Sequence, residues 1–118
     1  MSSAMANVRL SRDGRVAMIG LVGEIDLSNV AELRRGVFGF IENGDTIVIV
    51  DLGDLAFIDS AGLGMLFELA DVLDERRQHL LLVSPPGTQP RRIVDIVGLD
   101  SRSEVFDSVN QAIEAAHR

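Results

Sequence analysis

Cysteine and lysine are both absent from this 118-residue chain, and each absence removes whole classes of chemistry. Without cysteine there is no disulfide framework and no thiolate metal site, a composition suited to a reducing compartment. Without lysine, all eleven basic residues are arginine. A P-loop then has no lysine for its phosphates, a protein kinase no strand lysine, and Schiff-base chemistry no amine. Histidine is scarce: His79 and His117 are the only two, and neither has a nucleophile or orienting partner at a recognisable spacing. No His-Glu-x-x-His, Gly-x-Ser-x-Gly or dinucleotide fingerprint occurs, and Gly62 with Gly64 makes only a lone Gly-x-Gly. The expectation is a chain that is not an enzyme and carries no cofactor.

A basic footprint is also missing. The net charge is −7, and the arginines cluster only in the pairs Arg34-Arg35, Arg76-Arg77 and Arg91-Arg92, which suit solvated helix faces. This balance opposes nucleic-acid binding. The longest apolar stretch, Val16 to Val22, falls far short of the ~20 residues a membrane span needs. Met1 to Asn7 lacks the basic start and apolar run of a signal peptide. These readings point to a soluble cytoplasmic protein. What the chain does have is apolar residues, 47% of the total, enough for one buried core at this length. No repeat or linker divides it, so residues 1–118 read as a single domain with residues 1–6 a loose leader.

The pattern is α/β. Asn7–Ser11 and Val16–Val22 read as strands joined at Arg12-Asp13-Gly14-Arg15, where Asp-Gly signals a hairpin. Ser28 or Asn29 caps a helix with Glu32 in its first turn, Val30, Leu33, Val37, Phe40 and Ile41 at helical spacing, and a stop at Asn43-Gly44. Thr46–Leu52 is a β-branched run suited to a strand buried on both faces, and it completes a right-handed βαβ unit. Ala61–Arg77 reads as a helix and His79–Ser84 as another buried strand, ended by Pro85-Pro86-Gly87. A further helix starts at Thr88, turns Ile93, Ile96 and Val97 inward, and ends at Gly98. Val105-Phe106 is a last short strand. Asp107 then caps a helix whose inward face is Val109, Ala112, Ile113 and Ala116. The predicted class is α/β with a mixed sheet.

Two carboxylate groupings invite chemistry. Asp51, Asp54 and Asp59 sit at strand ends, where such clusters can hold Mg²⁺. A receiver-type phospho-aspartate site would use them, but it also needs a lysine and an initial parallel strand, so solvated loop carboxylates are the preferred reading and no metal is expected. The second grouping is Asp59-Ser60-Ala61-Gly62. Either Asp59 or Ser60 can cap the following helix. A phosphate on Ser60 would lie at a helix N-terminus, where free N–H groups and the dipole favour anions, and it would add ~1.5 to 2 negative charges. Along that helix the apolar positions cover roughly 220° of the circumference, against a little over ~100° for a one-sided helix. The helix is therefore wedged between neighbours, or one apolar edge is a docking surface. Ser60 shares its edge with Leu63, Gly64 and Phe67.

Gly23-Glu24-Ile25-Asp26 after a hairpin, Val50-Asp51-Leu52, Phe57-Ile58-Asp59-Ser60-Ala61-Gly62-Leu63-Gly64 and Gly98-Leu99 together resemble the anti-sigma-factor antagonist (STAS domain) family along residues 7–116. The resemblance implies a four- to five-stranded mixed sheet with an N-terminal hairpin and about four flanking helices. It implies partner switching. The unphosphorylated antagonist binds an anti-sigma factor, often a serine kinase; phosphorylation of the serine matching Ser60 blocks binding, and a serine phosphatase restores it. Asp59 matches the acidic residue before the phosphoserine, Gly23 and Asp26 the loop near it, and Gly62 a small residue that lets a partner approach. With Leu63, Gly64 and Phe67 these form the expected partner-binding set, on a monomer or weak dimer. Ala61 stands where many members carry a second Ser or Thr, so no second phosphosite exists there. The alternative within the same fold is a ligand-binding or scaffold subunit of a transport or stress-sensing assembly, without phospho-regulation.

Overall fold

The computed structural model describes residues 5–118; most of the leader lies outside that range. Strand β1 (Ala6–Asp13) pairs antiparallel with β2 (Val16–Ile25) across the tight turn at Gly14, where φ is +61°. Both strands run beyond the predicted ends. Ten residues make β2 long enough to serve two neighbours in succession. Val16–Gly20 pairs parallel with β3 (Ile47–Asp51), and Gly23–Ile25 pairs parallel with β4 (Leu55–Ile58). The register shifts between Gly23 and Glu24. Gly23 makes the shift possible: its φ is +99°, and a Cβ there would lie 2.2 Å from the Met5 carbonyl oxygen.

Beyond β3 lie β5 (His79–Val83) and β6 (Glu104–Phe106), both parallel, giving six strands among the described residues in the order β1-β2-β3-β5-β6 with β4 on β2. The expected α/β class with a mixed sheet and an N-terminal hairpin is what the structure contains. β4 is the strand that the sequence pattern did not reveal. Among the described residues there are four α-helices: α1 (Val30–Phe40), α2 (Ser60–Glu75), α3 (Gln89–Val97) and α4 (Val109–Ala116).

The core divides at the sheet. On one face Ile19, Leu21, Val48, Val50 and Leu82 meet Leu33 and Val37 of α1, Leu66, Leu69 and Leu73 of α2, and Val94 of α3. On the other, Val16, Ile49, Leu81 and Val83 meet Ala112 of α4. Side chains alternate between faces along each strand, so β3 and β5 feed both cores and read as continuous apolar runs.

Three local expectations are corrected. Helix α1 ends at Phe40, because Ile41 is already extended and turns into the core, so Asn43-Gly44 forms the next turn and not the stop. Ser108, not Asp107, caps α4, accepting from Gln111 N–H at 3.3 Å; Asp107 instead accepts from Arg91 at 2.8 Å. In α3, Pro90 and Val94 set the buried stripe. Ile96 lies about 200° around the helix from Val94 and is 77% exposed, with Val97 exposed to a lesser degree.

Candidate functional site

The site forms where β2 and β4 end together. Ile25 and Ile58 are paired and buried, and the Asp59 N–H donates to Ile25 O at 3.2 Å. Gln89 of α3 locks the outer side of β4, donating to Ile58 O at 2.9 Å and accepting from Ile58 N–H at 3.0 Å. The chain after Ile58 is thus held before α2 begins.

Asp59 is the N-cap of α2. Its Oδ1 accepts from Ala61 N–H at 2.9 Å and Gly62 N–H at 3.1 Å, while its carbonyl accepts from Leu63 N–H at 3.0 Å. This decides between the two candidate caps and leaves Ser60 as the first helical residue, exposed, its hydroxyl bonded to nothing among the described residues. It also changes the expected setting of a phosphate. Two of the helix's first N–H groups are already taken by the Asp59 carboxylate, so a Ser60 phosphate would meet an acidic neighbour where unoccupied donors were expected.

The second wall is the turn from β2 into α1. Asp26 Oδ1 accepts from the Ser28 N–H and hydroxyl at 2.9 and 2.5 Å. Asn29 Oδ1 accepts from Asp26 N–H at 3.1 Å, and its Nδ2 donates to Glu24 O at 2.9 Å. These short side chains turn toward the backbone, a local chemistry natural to Asp, Ser and Asn. Leu27, between them, is left 79% exposed.

The proposed binding residues are not all on this surface. Ser60, Asp59, Asp26 and Gly64 lie at or near it; Gly64 is exposed and a Cβ there would touch nothing within 4 Å. Leu63, 8% exposed, belongs to the core, and Phe67 is half-buried against that core, so only part of Phe67 and Gly64 remain at the surface of the expected apolar edge of α2. The wide apolar arc is used inward, against β4, β5 and α1. Gly62 is buried, and a Cβ on it would lie 2.5 Å from Ile58 Cγ1 and 2.9 Å from Ile25 Cγ2. Its smallness serves close packing of α2 on the two strand ends, not the approach of a partner. Gly23 serves the β2 register shift. Asp51 caps its own turn through Gly53 N–H at 2.8 Å, and Asp54 pairs with Arg9 at 2.8 Å, so these carboxylates diverge from Asp59. No group of three or more metal-ligating side chains converges among the described residues.

Sequence reasoning missed two exposed apolar residues, Leu27 and Phe57 (41% exposed). Leu27 had a signal: an apolar residue between Asp26 and Ser28-Asn29, whose side chains bond one another and the backbone, has nothing left to pack on. Phe57 had none. It stands beside Glu24 on the outer face of β4, a strand defined by its pairing.

The comparisons with known proteins bear on the family and the fold. The STAS domain family matches residues 7–112. The anti-sigma-F factor antagonist RsfB of Mycobacterium tuberculosis is 26% identical over 98 residues, 83% of this chain and 79% of that protein. The crystal structure of an anti-sigma factor antagonist from Mycobacterium paratuberculosis superposes with a TM-score of 0.87 at 19% identity, covering 97% of this chain and 96% of that one. SpoIIAA in its unphosphorylated form gives 0.68 at 22% identity over 94% and 98% of the two chains, and the Bacillus SpoIIAA structure in the phosphorylated form gives 0.66 at 22% over 93% and 99%. With nine-tenths of its length matched and its strands, helices and hairpin in this arrangement, the chain belongs to the STAS domain family.

Proposed function

We propose that this protein is an anti-sigma-factor antagonist: a binding module that captures an anti-sigma factor with serine-kinase activity and releases it when Ser60 is phosphorylated. The observation that carries the reading is the exposed, unbonded hydroxyl of Ser60 at the first position of α2, beside a cap that already occupies the helix's first donors. The kinase would transfer a phosphoryl group from a nucleoside triphosphate to Ser60 Oγ, the serine proton passing to a base on the kinase. A phosphatase would hydrolyse the ester and restore the hydroxyl. With Asp59 adjacent and Asp26 at the neighbouring strand end, ~1.5 to 2 further negative charges alter what the surface presents without a new internal partner. The exposed Leu27 supplies an apolar contact on the same surface.

The test is titration of the cognate anti-sigma factor against wild type, Ser60→Ala and Ser60→Asp. Ser60→Asp is expected to bind at least about tenfold more weakly, ~1.4 kcal/mol, with Ser60→Ala close to wild type. Equal affinity for all three would sink the proposal. Intact-mass measurement on protein from its native host is the companion test: an added phosphate that shifts with growth or stress supports switching, and a constant unmodified mass favours a scaffold role.

A further inference from the structure

Strand β1 is an edge of the sheet. It pairs with β2 and with no other strand among the described residues. That pairing sets the direction of its backbone groups. Glu24 N–H donates to Met5 O at 3.0 Å, while Gly23 N–H turns the other way, to Asp54 O at 3.1 Å. Hydrogen-bonded pairs alternate along an antiparallel ladder. Asn7, Arg9, Ser11 and Asp13 therefore bond to β2, and Ala6, Val8, Leu10 and Arg12 turn their N–H and C=O groups outward. No hydrogen bond among the described residues uses those outward groups. Several devices that blunt an edge are missing: β1 is eight residues long, contains no proline and keeps an unbroken register with β2. Leu10, on this edge, is 43% exposed.

The side chains select what pairs there. Ala6 and Val8 pack on the core and Arg12 lies over the Phe40 ring. Asn7, Arg9, Ser11 and Asp13 thus share the opposite face of the sheet, and all are exposed. Arg9 and Asp13 carry opposite charges and stand symmetrically about Ser11. An antiparallel copy of the same strand, related by a two-fold axis at Ser11, sets Arg9 opposite Asp13 of the second copy and Asp13 opposite its Arg9. In that register Leu10 meets Arg12 of the second copy, the two exchanging backbone hydrogen bonds, and the two Leu10 side chains become diagonal neighbours. The Asp13 carboxylate has no other partner among the described residues. Arg9 does pair with Asp54, but their side chains are 65% and 57% exposed, and such a pair contributes little.

We infer that β1 is a self-pairing edge: two copies of this chain associate through antiparallel β1 strands in register about Ser11, joining their sheets into one.

Sedimentation equilibrium of the full chain over a concentration series is the test. It is run at physiological salt, which screens the repulsion between two chains of net charge −7. A monomer–dimer equilibrium is expected. Arg9→Asp and Asp13→Arg should each weaken it about tenfold, and the double variant should restore it, because the charges are exchanged and not lost. Leu10→Pro should abolish it, since it removes an outward N–H that β2 does not use; where that proline perturbs the fold, the charge exchange decides. A monomer at every concentration, a dimer indifferent to the single reversals, or a double variant no tighter than the singles overturns the inference.

Discussion

The two ends of α2 are built by opposite means. At the Ser60 end most polar side chains bond to near neighbours, Asp59 to Ala61 and Gly62, Asp26 to Ser28, and Asn29 to Asp26 and Glu24, all within five residues; Gln89 on the Ile58 backbone is the long-range exception. At the far end the polar groups clamp distant segments. Asp45, 3% exposed, accepts a bidentate pair from Arg12, thirty-three residues away, at 2.7 and 2.8 Å. Arg12 also donates to Phe40 O and lies over the Phe40 ring at 4.3 Å. Gln78 reaches thirty-six residues back to Glu42. Local bonds shape a displayed surface at little cost to the rest of the fold when they change, whereas long-range ones hold the hairpin, the turn before β3 and the end of α2 together. The long-range clamps are therefore concentrated at one end, and the surface proposed for recognition lies at the other.

Breaking the clamp should have the largest effect. Asp45→Asn takes one of two carboxylates from the part-buried Arg12, which keeps Glu42 at 3.6 Å, and is expected to cost about 2 kcal/mol, measured by urea unfolding. The pH profile sharpens this. The hydrogen bonds from Arg12, with help from the Glu42 N–H and against the effect of burial, hold the Asp45 carboxyl below its ordinary range. Its stabilisation is then complete above the unfolded pKa of about 3.9 and is lost as pH falls through the lower folded value. Asp45→Asn should flatten that acid limb; an unchanged limb would assign acid unfolding to other carboxylates.

Gly62→Ala comes next. The new methyl would press on Ile58 and Ile25, and overpacking of this kind costs 1–3 kcal/mol. Better helix propensity returns up to about 1, for a net loss of about 1.5 kcal/mol in the same unfolding assay. Asp59→Ala removes the cap bonds and should cost about 1 kcal/mol, a loss that Asp59→Asn largely avoids. Smallest is Ser60→Asp, expected within about 0.5 kcal/mol of wild type because the hydroxyl has no partner to lose. A large loss there would erase the contrast between the two ends.

Much of this architecture was legible in one sequence because its signals are local. Asp13-Gly14 announces the hairpin, and the runs at Thr46–Leu52 and His79–Ser84 announce strands buried twice over. Gly98 announces the end of α3 through a left-handed backbone, φ +74°. The site was half legible. Asp59 and Ser60 stand together at a helix start by sequence order alone, but which of them caps depends on which side chain reaches the Ala61 and Gly62 N–H groups. Strand β4 escaped because its burial runs in, out, out, in over four residues, and no period-2 pattern survives in so short a segment.

Composition and short-range order thus determined the class of the fold, the absence of lysine and cysteine chemistry, and the placing of a hydroxyl beside a carboxylate at the start of a helix. Tertiary structure alone decided which surfaces remain. Leu63 and Gly62 belong to the core because β2 extends past β3 and brings Ile25 against Ile58 beneath them; Leu27 belongs to the surface because its neighbours' side chains bond inward. Helical periodicity places a residue on one side of its own helix, but only the packing partners, dozens of residues away in sequence, decide whether that side meets protein or solvent.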